Sequence, residues 1–230
     1  MAFFLLRANT YSHPGRLLEL TGNSKPRGMT KQEIFKSLDR TRLIDCHTYF
    51  GDDMEIGILK QAVDLLRDGD VIACKTDTVY GLIADATNEK AINKIYELKK
   101  RPKNKQLIVL VNSLDMANDI AVLPSLSIIK KYWFIEKRPT TIVLPKRNCG
   151  DTIAIRYPKD NFIIELITLL GRPIVAPSAN ISGHPTALSY EMVIKEFADR
   201  IPLIIDGGIC DKSPSRIIDL TTDIPKIIRN

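Results

Sequence analysis

Ile174-Val175-Ala176-Pro177-Ser178-Ala179-Asn180 is an apolar run that stops at a proline and opens into a polar turn. Proline has no N–H to give a ladder, so the run reads as a strand that ends at Pro177. Upstream, Phe162, Ile163, Leu166, Ile167 and Leu170 recur at helical spacing, and Gly171 is placed to cap that helix. Downstream, a second helical pattern from Ser189 to Ala198 leads into the strand-like Leu203-Ile204-Ile205. The same alternation extends outward. Ile56, Leu59, Val63 and Leu66 mark a helix that starts at Glu55 and stops at Asp68-Gly69-Asp70, and Val71-Ile72-Ala73-Cys74 is a strand. Thr76-Asp77-Thr78 is a polar loop; Ala91, Ile92, Ile95 and Leu98 then mark a helix ending at Lys99-Lys100-Arg101, sharply before Pro102. Further strands fall at Leu107 to Val111, Thr141 to Leu144, Ile153 to Ile155, and around Ile217-Ile218 and Ile227-Ile228. Helices alternating with strands make the class α/β, with one central sheet.

With 230 residues, 44% of them hydrophobic, the chain can bury a full core. Residues 1–53 differ from the rest: Tyr11 to Gly28 shows no steady period, and only Lys31 to Leu43 looks helical. They read as a partly irregular N-terminal extension, with the main domain over 54–230. The first 31 residues carry five basic side chains against Glu19 alone, a weak presequence-like bias. No apolar run nears the roughly 18 residues of a membrane span, so a soluble, cytoplasmic protein without a membrane partner is expected.

Cys46, Cys74, Cys149 and Cys210 are far apart without a C-x-x-C, which suits a reducing compartment. His13, His47 and His184 are equally scattered, so no metal site built by the protein alone is expected. The net charge of +6 favours anionic partners such as nucleotides or RNA. Lys99, Lys100, Arg101, Lys103 and Lys105 concentrate that charge in one short stretch.

Lys99 with Arg101, and Ser178 with Asn180, lie beside regular elements, where open α/β sheets place ligands. Arg101 can grip phosphate bidentately, Lys99 adds a point charge, and Ser178 and Asn180 supply neutral donors. By themselves the same residues read equally as a helix end and an Asx-type turn. The sequence has no G-x-x-x-x-G-K-[ST], no G-x-G-x-x-G after a strand and no G-x-S-x-G around Ser178. His184, the histidine nearest Ser178, sits in a Gly-His-Pro turn that reads as surface rather than as a catalytic base.

Longer strings decide between the two readings. Lys75-Thr76-Asp77-Thr78-Val79-Tyr80-Gly81-Leu82, Lys99-Lys100-Arg101-Pro102, Pro139-Thr140-Thr141, Ile155-Arg156, Ala176 through Gly183, Asp206-Gly207-Gly208 and Pro214-Ser215 occur in this order. The chain thereby resembles the YrdC-type threonylcarbamoyl-adenylate synthases over roughly residues 55–229. The resemblance implies a twisted mixed sheet flanked by helices, with a positively charged concave surface. It implies a nucleotidyltransferase that makes threonylcarbamoyl-adenylate from L-threonine, bicarbonate and ATP, releasing pyrophosphate. The product would feed threonylcarbamoyladenosine modification of tRNA by a separate transferase complex.

Carried over by motif, Lys99, Arg101, Ser178 and Asn180 would be catalytic. Together with Lys105, Thr141 and Arg229 they would bind ATP, whose phosphates would hold Mg²⁺. Thr78, Arg156 and Ser215 would hold threonine. An alternative within the same fold is a paralogue that binds RNA, double-stranded RNA included, or a nucleotide, without making the adenylate. The chain departs from the family pattern at Lys75, at Lys137-Arg138 and at Arg216, which is expected to loosen two turns and add charge. Ending at Asn230, it reads as the short form, without the extra C-terminal domain of longer relatives.

Overall fold

In strand β2 (Ile72–Lys75) neighbouring residues face opposite ways: Ile72 and Cys74 enter one apolar cluster, Ala73 the other. Strand β3 (Tyr80–Asp85) behaves likewise, with Ile83 in the first cluster and Tyr80, Leu82 and Ala84 in the second. The sheet is therefore covered on both faces. The computed structural model describes residues 42–45 and 52–230. Helices α1 (Asp52–Arg67) and α5 (Asn161–Leu170) cover the first face through Leu59, Val63, Leu66, Ile163, Leu166 and Ile167. Helices α2 (Glu89–Leu98) and α6 (Tyr190–Phe197) cover the second through Ala91, Ile95, Val193, Ile194 and Phe197, beside the shorter α3 (Leu114–Ile120) and α4 (Leu126–Ile129). A π-helical stretch, Lys130–Ile135, continues α4 and buries Tyr132 and Trp133.

The remaining strands are β1 (Arg42–Asp45), β4 (Ile108–Leu110), β5 (Thr140–Pro145), β6 (Thr152–Arg156), β7 (Ile174–Val175), β8 (Leu203–Asp206), β9 (Arg216–Asp219) and β10 (Lys226–Arg229). Among the described residues the strands form one twisted mixed sheet in the order β1-β8-β2-β3-β7-β4-β6-β5-β9-β10. Pairings β1–β8, β2–β8, β4–β6 and β5–β9 are parallel, and the others are antiparallel.

Local chemistry sets the boundaries. Asn88, Ser113 and Asp160 cap α2, α3 and α5, each accepting the N–H three residues on at 3.0–3.1 Å. Gly171, the expected cap of α5, takes the left-handed conformation at φ +71°. The helix expected over Lys31 to Leu43 is corrected at its end. Its residues 31–41 lie outside the described ones, but Arg42–Asp45 form strand β1, paired in parallel with Leu203–Asp206. An extrapolated helical period missed this because the edge strand depends on a distant partner, β8.

Candidate functional site

One row of paired residues explains why far-apart motifs meet. Leu110, Arg156, Thr141, Ile217 and Arg229 are successive partners across β4, β6, β5, β9 and β10. At the Arg156 end, its guanidinium is only 4% exposed. Nη1 donates to Thr78 Oγ1 at 3.0 Å, and Nη2 lies 3.3 Å from Asp77 Oδ1. Nε is buried without a partner. Burial depresses the Arg156 pKa, opposed by Asp77 and then Asp160. Along the row, the Thr141 and Ser215 hydroxyls share a hydrogen bond of 2.8 Å. Arg229 donates to the Ser215 carbonyl through Nε (2.9 Å) and Nη2 (2.7 Å). Its own pKa is lowered by burial and then by Arg156, so two cations share this end of the sheet.

The hairpin between β2 and β3 brings Thr78 to Arg156. Thr76 shapes the loop, donating its hydroxyl to the Val79 carbonyl at 2.8 Å and accepting the Thr78 N–H at 3.2 Å. Asp77 accepts the Lys159 N–H at 3.2 Å, fixing the loop to the segment after β6.

The Lys99 group gathers beneath the turn that follows β7. Gly81 and Ser178 form an antiparallel bridge, and the Ala179 N–H donates to the Tyr80 carbonyl at 2.7 Å. The 178–180 turn is thus fixed beside the strand that starts two residues after Thr78. Beneath it, Lys99 is 2% exposed. Its ammonium donates to the Ser178 carbonyl, to the Asn180 carbonyl at 2.7 Å and to Asn180 Oδ1 at 3.4 Å. Ser178 Oγ donates to Asn180 Oδ1 at 2.6 Å, and Asn180 Nδ2 donates to the carbonyls of Ile181 (3.0 Å) and His184 (2.8 Å).

Lys100 ends the helix just past Lys99. It is left-handed at φ +47°; its N–H reaches the Glu97 carbonyl at 3.1 Å, and that of Arg101 reaches the Tyr96 carbonyl at 2.9 Å. This is a Schellman end with lysine in the position glycine prefers. Lys99 points inward, whereas Arg101 donates to the carbonyls of Lys105 (3.0 Å) and Gln106 (2.9 Å) from a half-exposed position. Lys100→Gly is expected to raise stability by about 1 kcal/mol, the order of strain for a non-glycine residue in this conformation. Equal or lower stability in chemical denaturation would contradict that.

Burial, and then Arg101, push the Lys99 pKa down to about 8 from 10.5, while Glu196 opposes the shift. A neutral amine keeps two hydrogens for its oxygens, so nucleotide kcat/KM is expected to fall above about pH 8. Stability should move the other way. Between about 8 and 10.5 the unfolded chain holds a proton that folded Lys99 has released, so Lys99 adds stability as pH rises through that window. Activity and melting curves across pH 7–10 check both signs; parallel losses would contradict the assignment.

The predicted residues fall into linked groups: Lys99 with Ser178 and Asn180; Arg101 with Lys105; Thr78 with Arg156; and Thr141 with Ser215 and Arg229. Sequence reasoning gave no role to Asp77 or Lys159. Asp77 stood inside the Thr-Asp-Thr string and was legible as a partner for a buried arginine; Lys159 acts through its backbone and left no signal. The departures also have counterparts. Arg216 pairs with Glu136, donates to Thr140 Oγ1 at 3.2 Å and lies over the Tyr132 ring at 5.6 Å. Lys75 lies against Gly207, where a Cβ would come within 2.6 Å of the lysine's own. The Asp206-Gly207-Gly208 string is tied to β3, since Tyr80 accepts the Gly207 N–H at 3.0 Å and donates to the Gly208 carbonyl at 2.9 Å.

The Sua5/YciO/YrdC family model, described as "Telomere recombination", matches residues 64–230. The chain belongs to this family. Over 183 residues it is 37% identical to the threonylcarbamoyl-AMP synthase of Pyrococcus abyssi, covering 74% of this chain and 53% of that one. The Bacillus subtilis threonylcarbamoyl-AMP synthase is 36% identical over 182 residues, with 74% and 52% covered. The crystal structure of P. abyssi Sua5 complexed with L-threonine superposes with a TM-score of 0.73 at 34% identity, covering 82% of this chain and 57% of that one. The chain spans about half the length of the curated relatives it matches.

Proposed function

We propose that the chain is a nucleotidyltransferase making threonylcarbamoyl-adenylate from L-threonine, bicarbonate and ATP. The observation that carries this reading is Arg156, a buried guanidinium whose Nε hydrogen has no acceptor and whose neighbour is the Thr78 hydroxyl. A buried donor without a partner costs free energy, and an amino-acid carboxylate supplies the missing acceptor. In support, a threonine complex is known for the P. abyssi relative. Thr78, Arg156 and Ser215 would hold threonine. Arg101, Lys105, Ser178, Asn180, Thr141 and Arg229 would face the nucleotide, with Lys99 fixing the 178–180 turn and lending charge.

The reaction asks for alignment and charge neutralisation more than for a protein base. Threonine's amine and bicarbonate condense to a carbamate with loss of water. A carbamate oxygen then attacks the α-phosphorus, the bond to the β-phosphate breaks, and pyrophosphate departs with the electron pair. Mg²⁺ would ride on the triphosphate, where it would offset phosphate charge.

The product would serve tRNA threonylcarbamoylation by a downstream transferase complex, in the cytoplasm. No helix among the described residues is long and apolar enough to cross a membrane. Pyrophosphate release with ATP, threonine and bicarbonate, and with each omitted in turn, tests the reading. Release that requires all three supports it; release indifferent to threonine or bicarbonate overturns it in favour of simple nucleotide binding or hydrolysis.

A further inference from the structure

Glu196, near the C-terminal end of α6, stands outside every motif above, yet both of its carboxylate oxygens are spent on the segment that follows Ser178. Oε2 accepts the Ile181 N–H at 2.5 Å, and Oε1 lies 2.9 Å from His184 Nδ1. The carboxylate is 18% exposed, whereas the His184 ring is 54% exposed. The loop is closed from the opposite side by Asn180 Nδ2 on the His184 carbonyl, and by the Ser182 N–H on the Lys99 carbonyl at 2.8 Å. Among the described residues, the other hydrogen bonds on residues 178–184 come from the loop itself, from Lys99 or from β3. Glu196 supplies the hydrogen bonds that tie the loop to helix α6.

We propose that Glu196, with His184, is a positioning residue that holds the Ser178–Asn180 turn in its nucleotide-binding geometry. This rests on the reading of that turn as the nucleotide side of the site. The mechanism is local. Ile181 follows Asn180 directly, and Asn180 Nδ2 donates to the carbonyls of both Ile181 and His184, the two residues Glu196 holds. Losing the carboxylate frees both residues, and with them the side chain whose Oδ1 accepts from Ser178 and Lys99. A charge-assisted bond to a backbone N–H is among the stronger hydrogen bonds available, so one side chain suffices. The Thr78–Arg156 group shares no hydrogen bond with this loop and should be untouched.

The test compares the full chain with Glu196→Ala, Glu196→Gln and Glu196→Asp. ATP and L-threonine titrations are read by calorimetry, and backbone hydrogen exchange is followed over residues 178–184. Glu196→Ala is expected to weaken ATP binding about tenfold or more, the scale of losing a charge-assisted bond. Its threonine affinity should be unchanged, and exchange at Ile181 should accelerate. Glutamine keeps an acceptor for Ile181 and can donate to a neutral His184 nitrogen, so it should restore ATP binding to within about threefold of wild type.

Aspartate is too short to reach both partners and should behave like alanine. It also serves as the readout if the alanine variant fails to fold. Unchanged ATP affinity in the alanine and aspartate variants, or equal losses for ATP and threonine, would overturn the inference. A wild-type protein that binds no ATP would refute the nucleotide reading and the inference with it, and faster Ile181 exchange in the variants would then leave only a structural brace.

Discussion

Lys99→Ala is expected to cost about 100-fold or more in ATP affinity and to lower the melting temperature, because each buried acceptor left without a donor costs about 1–3 kcal/mol. The ammonium lies under the 178–180 turn, where it donates to the Asn180 carbonyl and shares the Ser178 carbonyl with the Asn180 N–H at 3.0 Å. Without it the Asn180 carbonyl must turn toward water, and the Asn180 side chain turns with it. Lys99→Arg should not rescue the loss, since a planar fork cannot fill a space shaped for a tetrahedral ammonium. The charge itself is lost as well, beside Arg101 and opposite Glu196. Threonine binding should hold to within about threefold, because no hydrogen bond joins Lys99 to the Arg156 group. ATP titration of the variant checks this, and near-wild-type affinity would contradict the role given to Lys99.

Arg156→Lys should show the complementary loss: threonine affinity reduced about 30-fold or more, with ATP affinity within about threefold of wild type. Arg156 donates to Thr78 Oγ1, forms an ion pair with Asp77 Oδ1 and keeps Nε free for a further acceptor. A lysine provides one point charge on a flexible stem and cannot span those positions. It would also leave Asp77 with a poorly placed counter-ion in a buried site, so a modest fall in stability is expected. Threonine titration monitored by calorimetry separates the outcomes. Retention of wild-type threonine affinity would mean that the carboxylate is held elsewhere.

How far these features could be read in advance depends on where their physics lies. α5 was legible because Phe162 through Leu170 form a regular stripe and Gly171 supplies the left-handed end. β3 carries no alternation, since all six of its residues are buried, Gly81 and Asp85 among them. The π-helical stretch at Lys130–Ile135 has no periodic signature of its own. β1 required knowledge of β8, which lies far along the chain.

The site shows the same division. Its residues were marked by motif strings, but their contacts were not. A lysine at a helix end reads as solvated, but Lys99 follows Ile95 by four residues and continues the buried face of α2. Glu196 gave no signal, because an acidic residue near the end of an amphipathic helix is commonplace and its partners lie 12 and 15 residues away. Arg216, read as an added charge, is paired by Glu136.

Residues around Arg156 would hold threonine, and the 178–180 turn with Thr141 and Arg229 would hold ATP, for a single reaction. The decisive measurement supplies the purified chain with ATP, L-threonine and isotopically labelled bicarbonate and identifies the labelled product by mass spectrometry. One labelled compound containing threonine, the bicarbonate carbon and AMP is expected, formed together with pyrophosphate and absent when threonine is omitted. Label found only in bicarbonate, under conditions where the protein binds both ATP and threonine, would contradict it.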